Sequence, residues 1–313
     1  MPSRWLASLF ILAGLLVWFR PQRLIEQVGA LDGRWLLVAL AVGVVQVALS
    51  AWRWRFTAQC LGLLMPYRQA LREYYLGTLI NQVLPGGVLG DAYRAKRHAD
   101  QSPQKGPAWL AVIIERFSGQ LALAGVAGVV IVQAPAWRPV LDTIGRLAMD
   151  GVTRWGVALG VVALGVVALG VVAIGIVVGV AITFTPGRAL WGSVAGSLRQ
   201  AFWPPHRGGL QLISSLAIVT TYMAVFVLAA WSIGVDQPWP VLLAVAPALL
   251  LAMVVPVTVS GWGLRELVAA GVWSGLGLDP AQGVAVSVAY GVMIFLIAAP
   301  GLLMWRSVAR VRN

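Results

Sequence analysis

Leu84-Pro85-Gly86-Gly87-Val88-Leu89-Gly90-Asp91-Ala92-Tyr93-Arg94 cuts across what is otherwise a helical apolar run. The run before it, residues 70–84, contains Tyr74, Tyr75, Leu76, Leu79, Ile80 and Val83 and meets no breaker until Pro85. Fifteen helical residues reach about 22 Å, short of the roughly 30 Å hydrocarbon core of a bilayer. The stretch therefore reads as a half-helix, a Pro/Gly break and a second half-helix. Such a break is tolerated at membrane depth only where protein or a wet cavity satisfies the freed backbone groups.

A second break matches the first. Pro256-Val257-Thr258-Val259-Ser260-Gly261-Trp262-Gly263-Leu264-Arg265 shares the pattern Pro-x4-Gly-x3-Arg with residues 85–94. It closes the apolar block 239–257, and a second apolar helix follows from about Trp262 to Ser274. The shared pattern points to an internal duplication with halves near 35–133 and 210–305.

The surrounding composition is that of a membrane protein. Of 313 residues, 59% are hydrophobic and 11% charged, against about 45–50% and about 25% in soluble domains. Apolar blocks fall near 5–19, 35–51, 70–84, 108–133, 155–185, 210–235, 239–257 and 283–305. Block 5–19 follows Arg4 but meets Phe19-Arg20-Pro21-Gln22 with no small-residue cleavage site, so it reads as a span and not a signal peptide. Block 155–185 is a low-complexity span of Gly-Val-Val-Ala-Leu units. The net charge of +12 would suggest nucleic acid in a soluble chain. Here the arginines flank apolar blocks, as lipid headgroups and topogenic signals require, and no nucleic-acid partner is expected. His98, His206 and Cys60 are the only His and Cys residues, so no metal site, disulfide or cofactor is expected.

Taking both breaks as re-entrant hairpins leaves six full spans with both termini on one side. That side collects fifteen Lys/Arg and the other six, with Arg116 and Arg265 at membrane depth. The bias places the termini in the cytoplasm. Three full spans separate the hairpins, so they enter from opposite faces: an inverted-topology repeat, the plan of transporters with a midplane site. The expected fold is an all-α polytopic membrane protein, with eight plain spans as the alternative.

Glu115-Arg116 sits in the block 108–133, and Arg265-Glu266 starts the second half-helix after the second break. Each such charge costs about 2.5–3.5 kcal/mol at bilayer depth on insertion scales and so asks for a partner or a task. Helix neighbours point about 100° apart, so cross-pairing, for example Glu115 with Arg265, is the expected structural use. The functional use is capture of a lipid phosphate by Arg94, Arg116 or Arg265, whose guanidinium forks suit phosphate oxygens. Asp91 and Ser260 are the expected N-caps of the second half-helices, and Asn81 is placed to satisfy broken backbone or touch a headgroup. Trp52-Arg53-Trp54-Arg55 reads as an interfacial anchor, and 186–209 as a helix lying along the cytoplasmic face.

Asn81-x3-Pro85-Gly86-Gly87-x2-Gly90-Asp91-x2-Arg94, Glu115-Arg116 and Pro256-x4-Gly261-x-Gly263-x-Arg265-Glu266 together resemble the lysylphosphatidylglycerol synthase transmembrane-region family, over essentially the whole chain. The resemblance implies a lipid-translocating module of the bacterial inner membrane. In full-length relatives this half is held to flip aminoacylated phosphatidylglycerol; stand-alone relatives are associated with other lipids or lipid-linked sugars. The chain stops at Asn313 without a soluble synthase domain, so aminoacyl transfer is not expected of it. The expectation is a flippase-like translocase acting on a membrane phospholipid or lipid-linked substrate, beside a separate lipid-modifying enzyme. The alternative is a non-catalytic scaffold subunit of an envelope-lipid or lipid-linked glycan pathway. No catalytic constellation supports an enzyme.

Overall fold

The computed structural model describes residues 32–84, 87–138, 187–254 and 260–304. The expected spans 5–19 and 155–185, and Pro85, Gly86 and Pro256, lie outside the described residues. Those described form nine α-helices and one short 3-10 turn, with no strand among them.

The first four helices are α1 (Gly33–Cys60), α2 (Tyr67–Val83), α3 (Leu89–Asp100) and α4 (Lys105–Gln133). Next come α5 (Gly187–Phe202) and α6 (Pro205–Ser232), then α7 (Trp239–Ala252), α8 (Leu264–Gly275) and α9 (Pro280–Ala298). Helices α1, α4, α6 and the run Pro280–Met304 are long and apolar enough to cross a membrane. They coincide with the blocks at 35–51, 108–133, 210–235 and 283–305. Helices α2, α3, α7 and α8 have 17, 12, 14 and 12 residues. At about 1.5 Å per residue, none reaches across the roughly 30 Å core.

The chain turns back on itself at the first break. A Cβ on Gly90 would lie 1.8 Å from the carbonyl oxygen of Gly77, so α2 and α3 cross with backbones in contact. The Gly90 N–H donates to Asn81 Oδ1 at 2.7 Å, which satisfies one orphan donor at the α3 start. At the second break Ser260, Gly261 and Gly263 all have positive φ (48°, 81° and 91°). That left-handed run suits glycine and is strained for serine. Helix α8 follows at once, and Gly261 sits tightly against Met253 at the end of α7.

The order long helix, two short helices, long helix occurs twice, as α1–α4 and α6–α9. Helix α4 packs on α6 and α7 as α9 packs on α1 and α2. Helices α1 and α6 form the most extensive contact and run antiparallel. Asp32 N–H bonds Ser232 O at 2.7 Å near one end. Arg53 Nη1 donates to Ser215 Oγ at 2.8 Å and Gln211 Nε2 to Thr57 Oγ1 at 2.7 Å near the other. Polar links between membrane helices are worth about 0.6 kcal/mol each on average, so they fix register more than they supply stability. Packing supplies the rest, through a central apolar core that includes Phe226, Leu242, Leu249, Trp273, Tyr290 and Met293. Segment 187–202 is helical and packs on α6 and α4.

Candidate functional site

A cavity of about 220 Å³ lies where both breaks meet the long helices. Gln46, Ser50 and Arg53 come from α1, Tyr74, Thr78, Asn81 and Gln82 from α2, and Gly87 and Val88 from the first break. Asp91 and Arg94 of α3, Arg116 and Gln120 of α4, Tyr222 of α6, Ser260 of the second break and Tyr290 of α9 complete the polar wall. Leu123, Leu250, Met253, Val254, Ile294 and Ile297 form an apolar wall. Gln82 and Ser260 join the two breaks through a 2.6 Å hydrogen bond.

A network of five charges underlies the polar wall. Glu115 is fully buried; one oxygen accepts from Arg53 Nη2 and the other from Arg94 Nη2, each at 2.5 Å. Asp91 takes Arg94 Nε on Oδ1 at 2.9 Å. Its Oδ2 takes Arg116 Nε at 2.7 Å, a second contact from Arg116 Nη2, and Asn81 Nδ2 at 3.2 Å. The Arg94 guanidinium lies over the rings of Trp54 and Tyr74, at 4.9 Å and 4.6 Å, a cation–π sandwich that helps replace lost hydration. Gly119 leaves room for Arg53, whose guanidinium a Cβ there would meet at 2.9 Å. Three arginines face two carboxylates, a surplus of one positive charge. Arg53 and Arg94 are buried, whereas the Arg116 side chain is 37% exposed. Arg116 is thus the cation of this network best placed to meet a ligand.

Arg265 and Glu266 do not join the network. The cross-pairing of Glu115 with Arg265 expected from sequence is replaced by two separate groups. Glu266 Oε2 accepts the Gly263 N–H at 2.6 Å and so caps α8. This turns Oε1 onto Arg265, at 2.7 Å from Nη2 and 3.1 Å from Nε. Adjacent residues can pair because the cap bends the Glu266 side chain back along the first turn. Ser287 accepts from Arg265 Nε and donates to Glu266 Oε1, both at 2.8 Å. Arg265 stacks on Trp262 and Tyr290 at 5.0 Å and 5.5 Å. A Cβ on Gly291 would lie 2.4 Å from Arg265 Nη2, so that glycine makes the room. Of this second group Tyr290 lines the cavity, whereas Arg265 and Glu266 are not among its described lining residues.

Three further expectations are corrected. Asp91 sits in the first turn of α3 but spends its oxygens on Arg94, Arg116 and Asn81; the position before the helix is Val88. Ser260 bonds Gln82 and leaves the α8 cap to Glu266. Arg53 is no interfacial anchor: it is buried in the network, and Trp54 packs on Arg94. The readable signal for Arg53 was the polar stripe Gln46, Ser50, Arg53, Thr57, whose spacing of three to four residues lies on one helix face. Among the described residues no group of three or more His, Cys, Asp or Glu could hold a metal ion.

Long apolar helices, paired short helices and a charged cavity between them define a polytopic helical membrane protein. The chain belongs to the lysylphosphatidylglycerol synthase TM region family, whose model matches residues 5–301. That membership suggests a lipid-related function in the membrane. No curated protein matches the chain at the level that would mark a relative.

Proposed function

We propose that the chain is a lipid translocase that moves an anionic or phosphate-linked lipid between leaflets and performs no covalent chemistry. In this reading α2–α3 and α7–α8 are re-entrant hairpins entering from opposite faces, within six full spans of a bacterial cytoplasmic membrane and with cytoplasmic termini. The antiparallel course of α1 and α6, the matching first helices of the two series, supports the inversion. The observation that carries the function is the cavity between the two breaks, walled by a cationic surplus with Arg116 partly open. In low dielectric that surplus is unfavourable until an anion arrives. A lipid phosphate is the anion at hand, and its acyl chains can stay in the bilayer while the head crosses.

The test is reconstitution of the purified chain in liposomes with fluorescent phosphatidylglycerol, read by a quencher that cannot cross the membrane. Protein-dependent movement that exceeds that of a diacylglycerol probe supports the reading; equal handling of the two overturns the phosphate preference. A second reading, a scaffold subunit beside a lipid-modifying enzyme, is favoured by the pairing of all four oxygens of Asp91 and Glu115. It predicts no transport by the chain alone.

A further inference from the structure

The two pairs of short helices have little helix packing in common: neither α2 nor α3 packs extensively on α7 or α8. A hydrogen bond at their tips links them instead. Ser260 Oγ donates to Gln82 Oε1 at 2.6 Å, across 178 residues of chain. Gln82 stands in the last turn of α2 and Ser260 shortly before α8, and both line the cavity.

Ser260 makes this bond from a strained backbone. Its φ is 48°, and it is the one non-glycine residue with positive φ among the described residues. Gly261 and Gly263 beside it have φ of 81° and 91°, in a region that glycine enters freely and serine does not. Glycine at 260 would relieve the strain and lose the hydroxyl. That hydroxyl has one proton to give. It goes to the other break, and the α8 cap is left to Glu266. Strain kept at such a position points to a task.

The bond is suited to being broken and remade. Both groups are neutral, so their parting strands no buried charge, unlike the parting of Arg94 from Glu115. They border a polar cavity of about 220 Å³, room enough for water to take the place of the lost partner. A neutral hydrogen bond shifts an equilibrium by only about two- to tenfold, enough to bias a joined state and too little to lock it.

We infer that Gln82 and Ser260 form a latch: their hydrogen bond holds the two breaks together beside the cavity, and its rupture is the step that opens the cavity to one face of the membrane. The inference rests on the translocase reading, since a latch has a use only where a lipid head must pass between the breaks.

The experiment uses the full chain in a Cys60→Ser background, reconstituted in liposomes with fluorescent phosphatidylglycerol. Gln82→Cys/Ser260→Cys is treated with a short bis-methanethiosulfonate, which ties the two positions through bonds that dithiothreitol cleaves. Tied molecules should lose most of the transport that the same molecules show untied, and dithiothreitol should restore it. Transport that continues while the tie is intact overturns the latch and leaves the translocase reading standing. No protein-dependent movement by the wild type removes that reading and the latch with it. A second measurement needs no cross-link. In Cys60→Ser/Thr78→Cys, a water-soluble thiol reagent reports access to the cavity wall. Adding Ser260→Gly, which suits the left-handed backbone and so should fold, should speed labelling about two- to tenfold, the weight of one neutral hydrogen bond. Gln82→Leu should do the same, and the two changes together no more than either alone, because both remove one bond. Unchanged labelling, or effects that add, overturns the latch even if the double cysteine variant fails to fold.

Discussion

Glu115→Gln is the substitution that the charge network makes most informative. The change keeps shape and removes one charge, which takes the network from a surplus of one positive charge to two. Glu115 accepts two charge-assisted hydrogen bonds at 2.5 Å from arginines that are 4% and 1% exposed. Such bonds contribute about 1.5–3 kcal/mol each, and breaking a buried ion pair costs about 3–5 kcal/mol. The two routes agree on a loss of about 3–5 kcal/mol. Unfolding of the purified chain in mixed detergent, followed by tryptophan fluorescence, measures it. The double variant Glu115→Gln/Arg53→Met restores a surplus of one and should regain a substantial part of the loss. A single-variant loss below about 1 kcal/mol, in the range of ordinary substitutions, would refute the claim that this carboxylate holds the two arginines. The exposed Lys96–Asp100 pair, at 70% and 54% exposure, is the control: Lys96→Ala should leave unfolding unchanged, because solvent screens it.

Arg116→Lys should fold like the wild type yet lose most transport, since a point charge does not reproduce the fork that meets both Asp91 and a phosphate; normal transport would count against Arg116 as the lipid contact. Gly90→Ala should abolish folded yield, because its Cβ would strike the Gly77 carbonyl at 1.8 Å, whereas Gly106→Ala meets nothing within 4 Å and should be silent. Arg265→Gln should lower stability while sparing lipid preference; altered preference with intact stability would put Arg265 back in the lipid path. In a Cys60→Ser background, cysteines at positions 68 and 100 should label from the same side of the membrane. Labelling from opposite sides would end the hairpin assignment for α2–α3.

The breaks were legible because clustered Pro and Gly act locally, and their spacing survives in one dimension; a lone Pro247 or Gly77 leaves its helix intact. The four long described helices were legible for the same reason, as runs of apolar residues of the right length. Pairing was not legible. Arg53 stands between two tryptophans, and that setting is indistinguishable from an interfacial belt until α4 is laid beside α1 and Glu115 meets it. The 100° argument against Arg265 with Glu266 assumed both side chains extend freely. It failed because the cap at Gly263 bends Glu266 back, an effect of the helix start and not of helical spacing. Asp91 was read as a cap, although its three-residue spacing to Arg94 on the same helix already offered it a cation.

The two series differ in how their buried charges are matched. Arg94 and Arg265 hold matching places in the Pro-x4-Gly-x3-Arg pattern, and each stacks on two aromatic rings. Around Arg265 one carboxylate and one serine close the account: Glu266 and Ser287 bind it and each other, and the group is neutral. Around Arg94 the account stays open, because Arg53 and Arg116 bring two more cations against two carboxylates and leave buried donors over. A closed group behind Tyr290 can serve as a rigid brace. An open one beside a cavity has a reason to bind an anion and a reason to release it, since the carboxylates at 2.5–2.9 Å compete for the same donors. In the proposed translocase, on that argument, the first break would carry the headgroup, and the second break, tied to it through Ser260 and Gln82, would supply the opposite wall.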